Sequence, residues 1–316
     1  MSLDHYVSQV HLKNFYSPSL GGLMYAIRKH DLESFTPNAK SVCRMEDGNT
    51  NSYLREDRVV EDFLKSIEPK YNMALEGLAK KSIDSDCIYT IAGFVAYVLV
   101  CSPAGMRIFA SPLKTSVEDC GRILDRQGVF SSPPHGFGGG SLTELLNDGK
   151  IALKVDPKYS QALGISSIMN FITIFGNSRW EVLQNPFDDS TFFTSDFPVA
   201  LEPSSLSSPQ NKIIPLAPNL AIRICPDPSL DINQVDLSFS NFEYSCRKLN
   251  RKDVGSINKL IVRCAESVVF YRDNHDWVSS FVSKNSKFRI EPQTKKVPHG
   301  TGVISIFTQN VVKIQT

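Results

Sequence analysis

The run from Ile88 to Cys101, IYTIAGFVAYVLVC, carries no charged residue and constrains the fold more than any other part of the chain. It is 14 residues long, short of the roughly 20 needed to cross a bilayer. A helix that is apolar on every side belongs in a protein core, so the run is expected to be a buried central helix. Asp84, Ser85 and Asp86 offer side-chain oxygens for its N-cap. Ser102-Pro103 ends it, because proline lacks the N–H that would continue the ladder. The N-terminal stretch MSLDHYVSQVHLKNF has no apolar signal core, and no membrane association is expected. With 316 residues, 41% of them hydrophobic and 21% charged, the chain is rich enough in apolar side chains to build a sizeable core.

The first half reads as helical. Between Glu56 and Leu78 the apolar positions Val59, Val60, Phe63, Leu64 and Ile67, then Tyr71, Ala74, Leu75 and Leu78, recur at helical spacing, with Pro69 kinking the helix or starting a second one. Further helical patterns cover Val117–Leu124 and Tyr159–Phe175. Between them lies the glycine-rich loop SSPPHGFGGGS, which is not a phosphate loop because no Gly-Lys-Ser/Thr follows. Near Arg179 the character changes. WEVL, TFFTSDFPVAL, KIIPLAP, NLAIRI, VISIF and VVKI are short β-branched or aromatic runs, broken by Pro, Asn and Asp, and read as strands. One amphipathic helix, capped by Asp253, is expected over 253–272. The pattern predicts an α+β fold. A mainly helical region, 1–150, would pack on a mainly antiparallel, strand-rich region, 151–316, as one integrated domain.

Seven scattered cysteines without CxxC spacing argue against a zinc knuckle and a disulfide scaffold, and point to the cytoplasm. The net charge of +1 hides an asymmetry. From Ser240 onward there are 13 Lys and Arg against 6 Asp and Glu, a net of +7. That basic part suits either a polyanion, such as nucleic acid or another phosphorylated ligand, or simply a solvated face.

The opening HYVSQVHLKNF resembles the start of a bacterial-type family, the domain-of-unknown-function 4238 family, whose members open His-Tyr-Val-Pro-Gln followed by Leu-x-x-Phe. Here His5, Tyr6, Val7, Gln9, Leu12 and Phe15 match, and Ser8 stands in place of the proline. Later segments resemble the family in the same order: Glu68 in SIEPKY, Trp180 in WEVL, and Thr194, Ser195, Asp196 and Pro198 in the Thr-Ser-Asp-x-Pro turn. Pro215, Leu216 and Pro218 follow, then Asn258 in the closing helix. The family's Arg-Thr-Pro element is replaced by CSPAGMR, which displaces Arg107. The resemblance carries no activity with it; it nominates polar residues that are expected to meet.

Each nominated residue has two readings. His5 and Gln9 either line a pocket, where a neutral imidazole serves as base or metal ligand, or anchor the N-terminus through a mutual hydrogen bond. Asp196 either binds a cation or accepts a proton, or closes its own turn. Glu68 is either a site carboxylate or half of a structural pair. Ser195 lacks a nucleophile elbow. Trp180 is a core or pocket-wall aromatic, and Asn258 a pocket amide or a backbone cap. His135, in the glycine-rich loop, is either a functional loop residue or simply exposed. If His5, Glu68 and Asp196 converge, with Gln9, Ser195, Trp180 and Asn258 around them, the set suits a hydrolase of phosphoesters such as nucleic acid, using a divalent cation. The alternative is a non-catalytic sensor or interaction module holding a ligand in the same pocket. Neither a Walker loop nor a dinucleotide fingerprint supports a nucleotide-dependent transferase.

Overall fold

The computed structural model describes residues 2–131, 136, 138–203, 210–230, 235–300 and 302–314. The chain opens with strand β1 (Leu3–His5) and a short helix, α1 (Gln9–Lys13). Strands β2 (Tyr25–Arg28), β3 (Ser34–Phe35) and β4 (Arg44–Glu46) follow. β4 pairs antiparallel with β1, placing Asp4 opposite Met45 and tying down the N-terminus. These strands lie in the half that reads as helical. They span two to four residues each, too few for a period of two to register in the sequence.

Helices α2 (Val59–Ile67) and α3 (Tyr71–Lys80) are separated by a 3-10 turn over Glu68–Lys70. Pro69 makes the break, since it has no N–H to bond back into α2. The predicted core helix is α4 (Ser85–Cys101), and every residue from Thr90 to Cys101 is buried. The Asp84 side chain caps it by accepting from Cys87 N at 2.8 Å. Helix α5 (Pro103–Arg126) starts at once, with proline in its first turn and Ser102 Oγ accepting from Gly105 N. A capping box formed by Ser141 and Glu144 opens α6 (Leu142–Asn147). The pattern expected over Tyr159–Phe175 is two helices, α7 (Pro157–Ser166) and α8 (Ile168–Gly176), because the backbone leaves helical geometry at Ser167. Gly164 lets α7 approach α4: a Cβ there would lie 2.7 Å from Val100 Cγ1.

The strand-rich part supplies β5 (Arg179–Gln184), β6 (Thr194–Ser195), β7 (Ala200–Glu202), β8 (Asn211–Ala217), β9 (Leu220–Cys225) and β10 (Glu243–Lys248). Five of these form a sheet in the order β10-β5-β9-β8-β7, antiparallel except for the β10–β5 pair. Helix α9 (Arg251–Cys264) then leads to β11 (Val268–Tyr271), α10 (Asp276–Asn285) and a long hairpin of β12 (Phe288–His299) and β13 (Gly302–Lys313).

The helix expected over 253–272 is shorter than its pattern suggests. Its cap is Asn250, which accepts from Asp253 N, and it ends at Cys264. The β-branched and aromatic run Val268–Tyr271 pairs instead between β2 and β6. The resulting sheet, β3-β2-β11-β6, is antiparallel throughout and draws strands from both ends of the sequence. The fold is α+β. The central helix α4, helices α8 and α9 and the inner faces of both larger sheets share one apolar cluster. No single helix among the described residues is long and apolar enough to cross a membrane.

Candidate functional site

A cleft of about 310 Å³ lies where β1, the start of α1 and the break after α2 meet. Three of the nominated residues, His5, Gln9 and Glu68, line it, together with Asp4, Asn49, Glu61 and Lys65. β1 delivers His5, whose carbonyl is held by the Tyr97 hydroxyl from α4. The His5 Nε2 lies 3.1 Å from the Ala39 carbonyl, which can only accept, so Nε2 carries the proton. Nδ1 then carries the lone pair and accepts from the Gln9 amide nitrogen at 3.5 Å. Burial lowers the imidazole's proton affinity against the opposing pull of the Lys40 and Ala39 backbone, which keeps the ring neutral at physiological pH.

Glu68 owes its position to Pro69. The break between α2 and α3 turns its carboxylate toward the start of α1, where Ser8 Oγ donates to Oε1. Ser8 is the N-cap residue of α1, yet its side chain makes no capping bond, because its hydroxyl is spent on Glu68. This is the position at which the family pattern has proline, and proline has no hydroxyl to give. Asp4, on the cleft wall, is already committed. Burial alone would raise its pKa. Bonds from Ser2, Asn49 N and Arg58 overcome that and hold it below the usual carboxylate range.

The other nominated residues do not line this cleft. Asp196 is buried, and its two oxygens accept from the backbone N–H groups of Glu266 (2.9 Å), Ser267 (2.7 Å) and Val268 (3.2 Å). It clasps the link between α9 and β11. Burial pushes its carboxyl up to about 6, against the pull of those N–H groups and of nearby Lys29. Ser195 Oγ accepts from Phe197 N at 3.2 Å and closes the Thr-Ser-Asp-x-Pro turn. Asn258, fully buried on α9, takes Phe193 N at 2.9 Å and gives to the Thr191 carbonyl at 2.8 Å. Trp180 is fully buried, donates to the Phe175 carbonyl and meets Phe242 edge-on. Arg107, displaced from the family pattern, forks onto Glu266 beside the Asp196 clasp and also reaches Glu291. His135 lies outside the described residues. Among the described residues, no group of three His, Cys, Asp or Glu is placed to hold a metal ion.

Two polar residues that sequence reasoning passed over are central here. His11 is fully buried, with Nδ1 2.8 Å from the Tyr71 hydroxyl, Nε2 2.8 Å from Thr194 Oγ1, and its ring stacked on Phe94. It pins α1 to α3, to α4 and to β6. Desolvation drives its pKa down to about 3, so it stays neutral. Its signal is a polar side chain flanked by Val7, Leu12 and Phe15 in an otherwise apolar anchor. The second is Lys212, the one charged residue in the strand KIIPLA.

The model of the family described as protein of unknown function (DUF4238) matches residues 4–275, and the chain belongs to that family. The match takes in the cleft, the His11 anchor and the Asp196 clasp, and it ends before the β12–β13 hairpin. No curated protein and no solved structure matches the chain.

Proposed function

We propose that this member of the DUF4238 family is a non-catalytic ligand-binding protein, a sensor or interaction module, whose N-terminal cleft receives a small amine-bearing group. The observation that carries this reading is the Glu68 carboxylate. It stands in the cleft with Ser8 on one oxygen and no cation paired to it among the described residues. The neighbouring cleft groups are taken. Asp4 and Glu61 share Arg58, and Lys65 pairs with Asp62. An ammonium entering the cleft would meet the Glu68 carboxylate as its acceptor, beside the hydrogen-bonded His5–Gln9 pair, and its charge would offset the carboxylate.

Phosphoester hydrolysis is the less supported reading. It asks His5, Glu68 and Asp196 to meet at one reacting atom, and the Asp196 oxygens are occupied by the backbone of 266–268. The basic C-terminal part is also partly self-neutralised: Arg247, Arg251, Arg272 and Lys296 each pair with a carboxylate. All seven cysteines are free and four are buried, which suits a reducing compartment such as the cytoplasm.

Thermal-shift titration with small primary amines and guanidines, against matched carboxylates and phosphates, tests the binding reading. Amines should raise the melting temperature of the wild type, and Glu68→Gln should abolish the shift while keeping the Ser8 contact. No amine-dependent shift in the wild type would sink it. A nuclease assay with added divalent cations belongs beside it. Cleavage that disappears in both His5→Ala and Glu68→Gln would replace binding by hydrolysis.

A further inference from the structure

A larger recess, about 680 Å³, opens between the α4–α5 junction, α8, the β7–β8 edge and β13. It shares no lining residue with the N-terminal cleft. Its size falls within the roughly 300–1,000 Å³ of small-molecule sites. Leu99, Ile108, Phe109, Phe171, Phe175 and Phe307 make its walls apolar.

One cation enters this surface. Lys212 lies in β8 opposite Leu201 of β7 and Ile224 of β9. Side chains opposite one another or two apart along a strand share a face, so Lys212 projects from the apolar side of the sheet with Ile214 and Ile224. Its Nζ sits 5.5 Å from the centroid of Phe175. Among the described residues, Lys212 makes neither a salt bridge nor a hydrogen bond through Nζ, and its ammonium lies over the Phe175 ring. The only acid lining the recess among the described residues, Asp227, is spent on the Ser229 backbone and hydroxyl at 2.8 and 2.7 Å. Loss of water alone pulls the lysine down to about 8, leaving it cationic at neutral pH. Lys212 is half-buried, its stem lying along the apolar wall and its ammonium open to the recess, as long charged side chains are when they run over apolar surface.

We propose that the recess binds a free amphiphile with a single anionic head, of the fatty-carboxylate type, its head on Lys212 Nζ and its tail against Phe109, Phe171 and Phe175. One cation matches one negative charge. A doubly charged phosphate head would call for a second cation or an arginine fork, and the described lining has neither. The rim residues Gln309 and Asn310 are neutral and add no second charge.

Calorimetric titration with sodium laurate below its micelle concentration tests this. The wild type should bind saturably. Lys212→Met should weaken binding by about tenfold or more, the worth of one charge-assisted bond, and Lys212→Arg should keep most of it. Dodecyltrimethylammonium, with the same tail and the opposite head, should not bind. Laurate should also protect Lys212 of the wild type from reductive methylation read by peptide mass spectrometry, a measurement that needs no variant. The proposal is overturned by absence of laurate binding, by equal binding to Lys212→Met, by equal binding of the cationic detergent, or by unprotected Lys212. Co-sedimentation with phosphatidylglycerol vesicles without binding of free laurate would replace it with a membrane-docking role.

Discussion

His11 and Lys212 are both basic side chains set against aromatic rings, and the fold treats them in opposite ways. His11 stacks on Phe94 with a hydroxyl on each ring nitrogen. Lys212 lies over Phe175, and among the described residues its ammonium makes no hydrogen bond or salt bridge. Desolvation depresses both, His11 to about 3 and Lys212 to about 8. At neutral pH the first is therefore uncharged and satisfied within the fold, and the second is charged and without a protein partner among the described residues. A buried polar group with its hydrogen bonds complete holds a structure together. A half-buried ammonium without a protein partner is left to the solvent, and in this fold it faces an open recess. Arg223 sharpens the contrast. It stands on the other face of the same sheet, one position along β9 from the Lys212 partner Ile224, and is bracketed by Glu181 and Glu202.

The largest effect is expected at the satisfied end. His11→Ala opens a cavity and leaves the Tyr71 and Thr194 hydroxyls without their shared partner, and should cost about 3–4 kcal/mol in urea unfolding. The acid limb checks it independently. The unfolded chain takes up this proton near 6.5 and the folded one only near 3, so the wild type loses stability as pH falls through that window. The variant should lack that part of the loss. A cost under about 1 kcal/mol would mean that the hub is not a hub. Arg223→Met should come next, at about 2–3 kcal/mol, because it strands two partly buried carboxylates, with solvent screening part of the penalty.

The satisfied part of the fold was more legible than the unsatisfied part. The core helix, its Asp84 cap and the break at Pro69 follow from local rules that act within a few residues. The His5–Gln9 pair follows from its four-residue spacing, but its meeting with Glu68 rests on a long-range packing of α1 against the α2–α3 break, and sequence spacing does not encode that. In the sequence Asp196 reads equally as a site carboxylate or as the acid that closes its own Ser-Asp-x-Pro turn. Its partners are three backbone N–H groups about 70 residues away, and backbone donors leave no mark in a sequence. Residues 268–271 continue a helical period past Ala265, yet β-branched and aromatic side chains between two waiting strands decide for β11. Lys212 was hidden for a related reason. A single lysine in a strand usually marks an exposed edge or the solvent face, and only the assembled sheet puts it on the apolar side.

The smallest effects are expected at Lys212, and their sign carries the argument. Lys212→Met exchanges an unpaired ammonium for an apolar side chain of similar length, so the free protein should be unchanged or more stable by up to about 1 kcal/mol, opposite to Arg223→Met. The alkaline limb separates this from a generic surface effect. Lys212 releases its proton near 8 in the folded chain and near 10.5 in the unfolded one, so between those values the unfolded state binds more protons and wild-type stability rises with pH. Lys29, also drawn down to about 8 by burial, contributes the same trend to both proteins. The difference between wild type and Lys212→Met therefore isolates Lys212: the wild type should gain stability relative to the variant as pH climbs from about 8 toward 10.5. Parallel curves across that range would show that the ammonium is as well solvated as any surface lysine, and the contrast with His11 would collapse.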